Sequence, residues 1–213
     1  MKNLITPPET KQTPVVSADA KTNKQVLPLR VGSSFSGCGA LDVAASNIGL
    51  SYSSEYIIEW DKYCVATYVE NFPSVKKIFS DIIKVNPNEV PDVDLYVMSP
   101  PCVDFSSNGL QKGFKGTSGT LIFDALNIIK QSKVKPAYLI YENVKNLVGK
   151  KFKKSFSTIL DALSELGYTN YWKVLDSQNF GVPQHRERVI IVSIRNDIDQ
   201  TFVFPEGNSS DIK

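Results

Sequence analysis

The stretch Tyr96–Ser106 reads YVMSPPCVDFS, and it raises the question of why an apolar run should end in two prolines followed at once by a cysteine. Leu95, Tyr96, Val97 and Met98 suit a buried strand. The Ser-Pro-Pro that follows removes two backbone donors, so the ladder cannot continue and the strand stops. Cys102 then stands at the strand's tip, and open α/β sheets place their chemistry in the crevice outside the carboxyl ends of their strands. Two readings of Cys102 are open at this point. It is a reactive thiol if the surroundings are exposed and electropositive, or a small buried hydrophobe if they are not.

Working outward, the same alternation recurs on both sides. A strand at LRVGSSF (29–35) leads through a glycine turn to a helix at LDVAASNIG (41–49). Then come strand EYIIEW and helix KYCVATYVENF, strand DLYVMS and helix GTLIFDALNIIKQS, and strand AYLIYE and helix FSTILDALSELG. Strand-then-helix repetition predicts a parallel sheet with crossover helices, an α/β fold. The end differs: YWKVLDS and RVIIVSI are strand-like runs with no helix between them, which predicts an antiparallel hairpin closing one side of the sheet. Residues 1–27, rich in Pro, Thr, Lys and Ala and without periodicity, are expected to be a disordered tail, leaving 28–213 as one catalytic-size domain.

Composition limits the function classes. The 213 residues are 42% hydrophobic with a formal net charge of +2, a globular balance too weakly basic to argue for nucleic acid alone. The odd cysteine set Cys38, Cys64 and Cys102 argues for reduced thiols and a cytoplasmic chain, and no apolar run is long enough to span a membrane. The single histidine, His185, has no partner at ligand spacing, so no metal site is expected.

Three further stretches carry chemistry. In SSFSGCGALD, Gly37 and Gly39 permit a sharp turn between the first strand and first helix and a close approach of the backbone to a ligand. Glu59 follows at the end of the next strand, where a carboxylate can accept from a ribose hydroxyl pair. Two readings stay open: an adenosine pocket, or a glycine turn beside an unrelated surface Glu. Asp42 stands where a dinucleotide fingerprint needs its third glycine, which disfavours a nicotinamide or flavin cofactor. LIYENVKNL repeats the strand-end logic, with Ala137–Tyr141 expected to end in Glu142 and Asn143, although Glu142 could instead cap the turn. In QHRERV, Arg186 and Arg188 alternate, so an extended segment would turn both guanidiniums to one face, suited to anions or to a charged hairpin edge.

FSGCG, PPCVDFS, ENV and QHRERV, in this order and spacing, resemble the DNA (cytosine-5) methyltransferases over about Leu29 to Pro205. The resemblance implies a Rossmann-like, S-adenosylmethionine-dependent methyltransferase fold. It implies Cys102, Glu142, Arg186 and Arg188 as catalytic residues, with Phe35, Gly37, Gly39, Glu59, Trp60, Asp81 and Leu121 around S-adenosylmethionine and no metal. The implied substrate is cytosine in double-stranded DNA, flipped out of the duplex, in an intracellular enzyme of prokaryotic or phage-like type. Residues 106–119, rich in Gly, Ser and Lys, follow the nucleophile as a closing lid or an ordinary flexible loop would. The lysines of VKNLVGKKFKKSF fit either phosphate contact or a solvated helix start.

The departures are Ala40 in place of the family's third glycine and Val103 in place of a common glutamine. The target-recognition region and terminal motif of the family are not found after FVFPEGNSSDIK, so the chain is expected to be one part of a split enzyme whose second polypeptide carries them, with a truncated fragment as the alternative. The alternatives are a tRNA cytosine methyltransferase of the same superfamily and an inactive module that binds cofactor or DNA.

Overall fold

The computed structural model describes residues 27–101 and 120–207. The expected tail, the Cys102 nucleophile and the 106–119 lid lie outside the described residues, apart from Leu27. The strands are β1 (Leu29–Ser34), β2 (Tyr52–Ile58), β3 (Ile78–Phe79), β4 (Leu95–Met98), β5 (Tyr138–Val144), β6 (Tyr168–Asp176) and β7 (Glu187–Arg195). They form one sheet in the order β3-β2-β1-β4-β5-β7-β6. The helices are α1 (Ala40–Asn47), α2 (Lys62–Asn71), α3 (Leu121–Gln131) and α4 (Lys153–Glu165).

The first five strands in this order are parallel, as the alternation of strand and helix requires. Strand β4 is buried at all four positions and alternates by side. Tyr96 and Met98 join the larger core with residues of α3 and α4 such as Ile129 and Ile159, while Leu95 and Val97 pack with Val31 and Leu41 on the opposite face. A strand buried on both faces reads as an unbroken apolar run. At the amino edge, Asp94 accepts from Arg30 Nη2 at 2.7 Å, Nε at 3.1 Å and the Arg30 amide at 3.0 Å, fastening β4 to β1.

The expected closing hairpin is present, with β7 antiparallel to both β5 and β6 and inserted between them. This insertion corrects one boundary. β4 stops pairing with β5 at Met98–Tyr141, but β7 pairs on through Glu142–Ile190, Asn143–Val189 and Val144–Arg188, so β5 runs on to Val144, past the Glu142 with which the run AYLIYE ends. Sequence reading also missed β3, whose two residues are too short to show a period. Among the described residues no helix is long and apolar enough to cross a membrane.

Candidate active site

The chain order of the strands reverses between β1 and β4, and the crevice at such a reversal is where open sheets bind ligands. The FSGCG loop occupies that point. Phe35 takes a positive φ of 60°, with Gly37 at 55° and Gly39 at 92°, so the loop is held in left-handed conformations that favour glycine. A Cβ on Gly39 would meet the Phe72 ring at 2.6 Å, so α2 lies directly against the loop there. A Cβ on Gly37 would meet nothing within 4 Å, because that side is open.

The open side is a hollow of about 430 Å³, lined by the end of β1 and the loop after it from Ser33 to Cys38, by Ala40–Asp42, by Val97 of β4 and Ser99 just beyond it, and by Glu142 and Arg186. It therefore joins one group expected around the cofactor, Phe35 and Gly37, to one group expected in catalysis, Glu142 and Arg186. Arg188 Nε lies 2.8 Å from Glu142 Oε1, an ion pair at the rim of the sheet. Because β7 is antiparallel, its beginning falls at the same edge as the end of β5, and this brings the arginines to Glu142. Arg186 precedes β7 instead of sitting within it, and its backbone N–H donates to Asp176 Oδ1 at 2.9 Å.

Glu59 is fixed by two backbone donors: Gly37 N–H at 2.8 Å to Oε2 and Asp61 N–H at 3.0 Å to Oε1. It faces the glycine loop and helps to shape it. Trp60, beside it, is 83% exposed. Asp81 follows β3, accepts from the Ile83 amide at 3.2 Å and pairs with Lys84 at 3.4 Å. Leu121 opens α3, and the 3-10 turn over Ile82–Lys84 lies against that helix. Glu59, Trp60, Asp81, Leu121, Gly39 and Arg188 do not line the hollow, although all stand around its edge of the sheet.

Several site residues went unassigned in the sequence. Asp124, in the first turn of α3, has its carboxyl raised above the usual range by partial burial and by the charge of Asp81. Asn143 is 2% exposed; its Nδ2 donates to the Pro100 carbonyl at 3.2 Å and to Tyr141 Oη at 3.0 Å, while its Oδ1 accepts from the Val144 amide. It thus ties β5 to the Ser-Pro-Pro segment two residues before Cys102. Asp42 is also 2% exposed and accepts from Tyr52 Oη at 3.0 Å; burial and this bond push the Tyr52 hydroxyl up to about 12. No local pattern signals these roles, because the deciding partners, Asp81 for Asp124, Pro100 for Asn143 and Tyr52 for Asp42, lie well away in the sequence.

The model of the C-5 cytosine-specific DNA methylases matches residues 29–212, the span that carries the whole of this edge. The chain belongs to the C-5 cytosine-specific DNA methylase family. It is 42% identical to the Type II methyltransferase M.BsuFI of Bacillus subtilis over 151 residues, covering 70% of this chain and 36% of that protein. It is 36% identical to the Type II methyltransferase M.HhaI of Haemophilus parahaemolyticus over 185 residues, covering 86% of this chain and 55% of that one. The chain thus spans about a third to about half the length of the curated relatives it matches. The S. pombe Dnmt2 methyltransferase crystal structure shares the fold, with a TM-score of 0.67 at 20% identity over 82% of this chain and 51% of that one. Enzymes of the family take their methyl group from S-adenosylmethionine. The open side of Gly37 and the carboxylate fixed beside it suit the amino-acid and ribose ends of that molecule, so the residues present fit the group.

Proposed function

We propose that this chain carries the catalytic machinery for methylating carbon 5 of cytosine in double-stranded DNA. The observation that supports it most is that one hollow at the sheet's carboxyl edge is lined by both the glycine loop and the Glu142–Arg186 group. The glycine loop, Glu59, Trp60, Asp81 and Leu121 would hold S-adenosylmethionine, which when bound offers a methyl carbon attached to a positively charged sulfur.

Carbon 5 of cytosine is a poor nucleophile, so Cys102 would first add its thiolate to carbon 6 and drive electron density toward carbon 5. Negative charge then builds at ring nitrogen 3. Arg188 takes Glu142 Oε1 and leaves Oε2 for that nitrogen, where a carboxyl proton would neutralise the charge. As carbon 5 gains the methyl group, the electrons of the broken carbon–sulfur bond would stay with the donor sulfur; loss of the carbon 5 proton to a base, return of the nitrogen 3 proton to Glu142 and expulsion of the Cys102 thiolate would then restore the aromatic ring. The base must leave the duplex to be reached, at a cost of a few kcal/mol.

The expected second polypeptide is part of the same proposal. Val43 in α1 and Ile48 just after it are exposed (49% and 78%), and such a chain would find apolar contacts there. The test compares wild type with Cys102→Ser, co-expressed with the recognition region of a related enzyme. Tritiated methyl transfer is measured on duplex DNA and on tRNA, and cofactor affinity by calorimetry. The expected result is transfer to duplex DNA lost in the mutant with affinity retained. Transfer to tRNA alone, or cofactor binding without any transfer by wild type, would replace this reading with one of its two alternatives.

A further inference from the structure

Between Glu142 and Asp161 the chain has five lysines, at 145, 150, 151, 153 and 154, and no acidic residue. Two are engaged within the fold: Lys145 Nζ pairs with Glu187 at 2.6 Å, and Lys151 Nζ lies 5.5 Å from the centre of the Phe152 ring. Lys150, Lys153 and Lys154 are exposed, and among the described residues none of the three makes an ion pair.

Their location is unfavourable for folding. They surround the first turn of the thirteen-residue helix α4, which has no acidic residue there and no side-chain cap at Phe152. The amide groups at a helix start carry partial positive charge, so cations there are repelled. A solvated helix surface would gain from acids at this end, and the lysines therefore point to something outside the fold.

The backbone that carries the cluster is anchored and close to the site. Leu147, Phe152 and Phe156 are buried, which anchors the turn and the helix start on both sides of it. β5 ends at Val144, two residues beyond Glu142, and α4 begins at that same carboxyl edge before running back along the sheet.

We propose that Lys150, Lys153 and Lys154 form a contact surface for the phosphodiester backbone of duplex DNA beside the flipped cytosine; this rests on the function proposed above. Lysines binding phosphates release condensed counterions, so the contact is readable from the salt dependence of affinity. The experiment measures fluorescence anisotropy of the full chain with a 30-base-pair duplex of arbitrary sequence at several salt concentrations. It compares wild type, Lys150→Gln/Lys153→Gln/Lys154→Gln and the corresponding triple arginine variant.

The glutamine variant should lose affinity on the order of tenfold or more near 0.1 M salt, and its log–log salt slope should fall in magnitude by about 2 to 3, at roughly 0.9 per phosphate contact. The arginine variant should keep both. The glutamine variant should melt no lower than wild type, since it removes cations from a helix start, so weaker binding would not reflect unfolding. An unchanged slope in the glutamine variant, or no duplex binding by a wild-type chain that still binds S-adenosylmethionine, would overturn this surface and leave the proposed chemistry untouched. Lysine-dependent binding without methyl transfer in the recognition-completed assembly would do the reverse.

Discussion

Arg188 and Glu142 form an ion pair of 2.8 Å across the β5–β7 seam, between side chains 23% and 31% exposed. The partner of the residue expected to meet ring nitrogen 3 thus comes from an antiparallel strand that sequence order places last in the sheet. Its planar fork fixes one carboxylate oxygen in a way that a flexible ammonium cannot. Arg188→Ala should therefore lower kcat by about 10–10²-fold, part of the roughly 10²–10⁴-fold that a positioned proton donor contributes. Arg188→Lys should recover little of it. Stopped-assay kcat and calorimetric cofactor affinity on the recognition-completed assembly check this, the affinity being expected to stay within about twofold of wild type, since Arg188 does not line the cofactor side of the hollow.

Asn143 links the end of β5 to the carbonyl of Pro100, and so sets where the segment leading to Cys102 leaves the sheet. Replacing it by alanine leaves that buried carbonyl short of a donor, at a cost of about 1–3 kcal/mol. Asn143→Ala should melt several degrees lower and lose kcat more than cofactor affinity. Asn143→Asp keeps an acceptor for the Val144 amide but offers no donor to Pro100, and should be equally impaired in kcat. Rescue by aspartate would show that the bond to Pro100 does not position the nucleophile.

Much of this architecture was legible because parallel strands buried on both faces leave continuous apolar runs, as at Tyr96–Met98, and because the prolines after them mark where a ladder must stop. The glycine loop, too, showed in Gly37 and Gly39 that a sharp turn was allowed there, although not that Phe35 would share their positive φ. Other features depend on partners remote in the chain. The last three residues of β5 are strand only because β7 lies beside them, and Arg188 reaches Glu142 only because β7 enters between β5 and β6. Asn143 looked like a strand end, yet its role lies in the carbonyl of Pro100, 43 positions earlier. The two residues of β3 left no periodic trace.

At the opposite edge, hydrogen bonds from Arg30 hold the Asp94 carboxyl below its usual range, against the opposing effect of partial burial. A depressed carboxyl favours the folded state whenever it is ionised. The stabilisation is therefore complete above the unfolded value near 3.9 and is lost as pH falls through the lower folded value. Asp94→Asn should reduce the melting temperature at pH 7 and flatten the dependence on pH below about 4, without altering cofactor affinity. Thermal melts of both proteins from pH 2.5 to 7 check the sign: a mutant as acid-sensitive as wild type would place the acid response elsewhere.

Glu59 is both a candidate ribose acceptor and the group that pins the glycine loop, since its two oxygens accept from Gly37 and Asp61. A carboxylate can accept more than one hydrogen bond per oxygen, so the two roles are compatible. Removing it should weaken S-adenosylmethionine binding by roughly 1.5–3 kcal/mol, about 10–150-fold in Kd, the range for hydrogen bonds to a charged group. Glu59→Gln separates the roles. Its amide oxygen can still take one backbone N–H and keep much of the loop's shape, but it offers the ribose pair no charge. Glu59→Gln should accordingly melt close to wild type while binding the cofactor about tenfold more weakly, whereas Glu59→Ala should lose both stability and affinity. Calorimetry with S-adenosylmethionine and thermal melts of the two variants provide the readouts. Wild-type affinity in the glutamine variant would assign Glu59 to loop geometry alone and move ribose recognition to another residue of that edge.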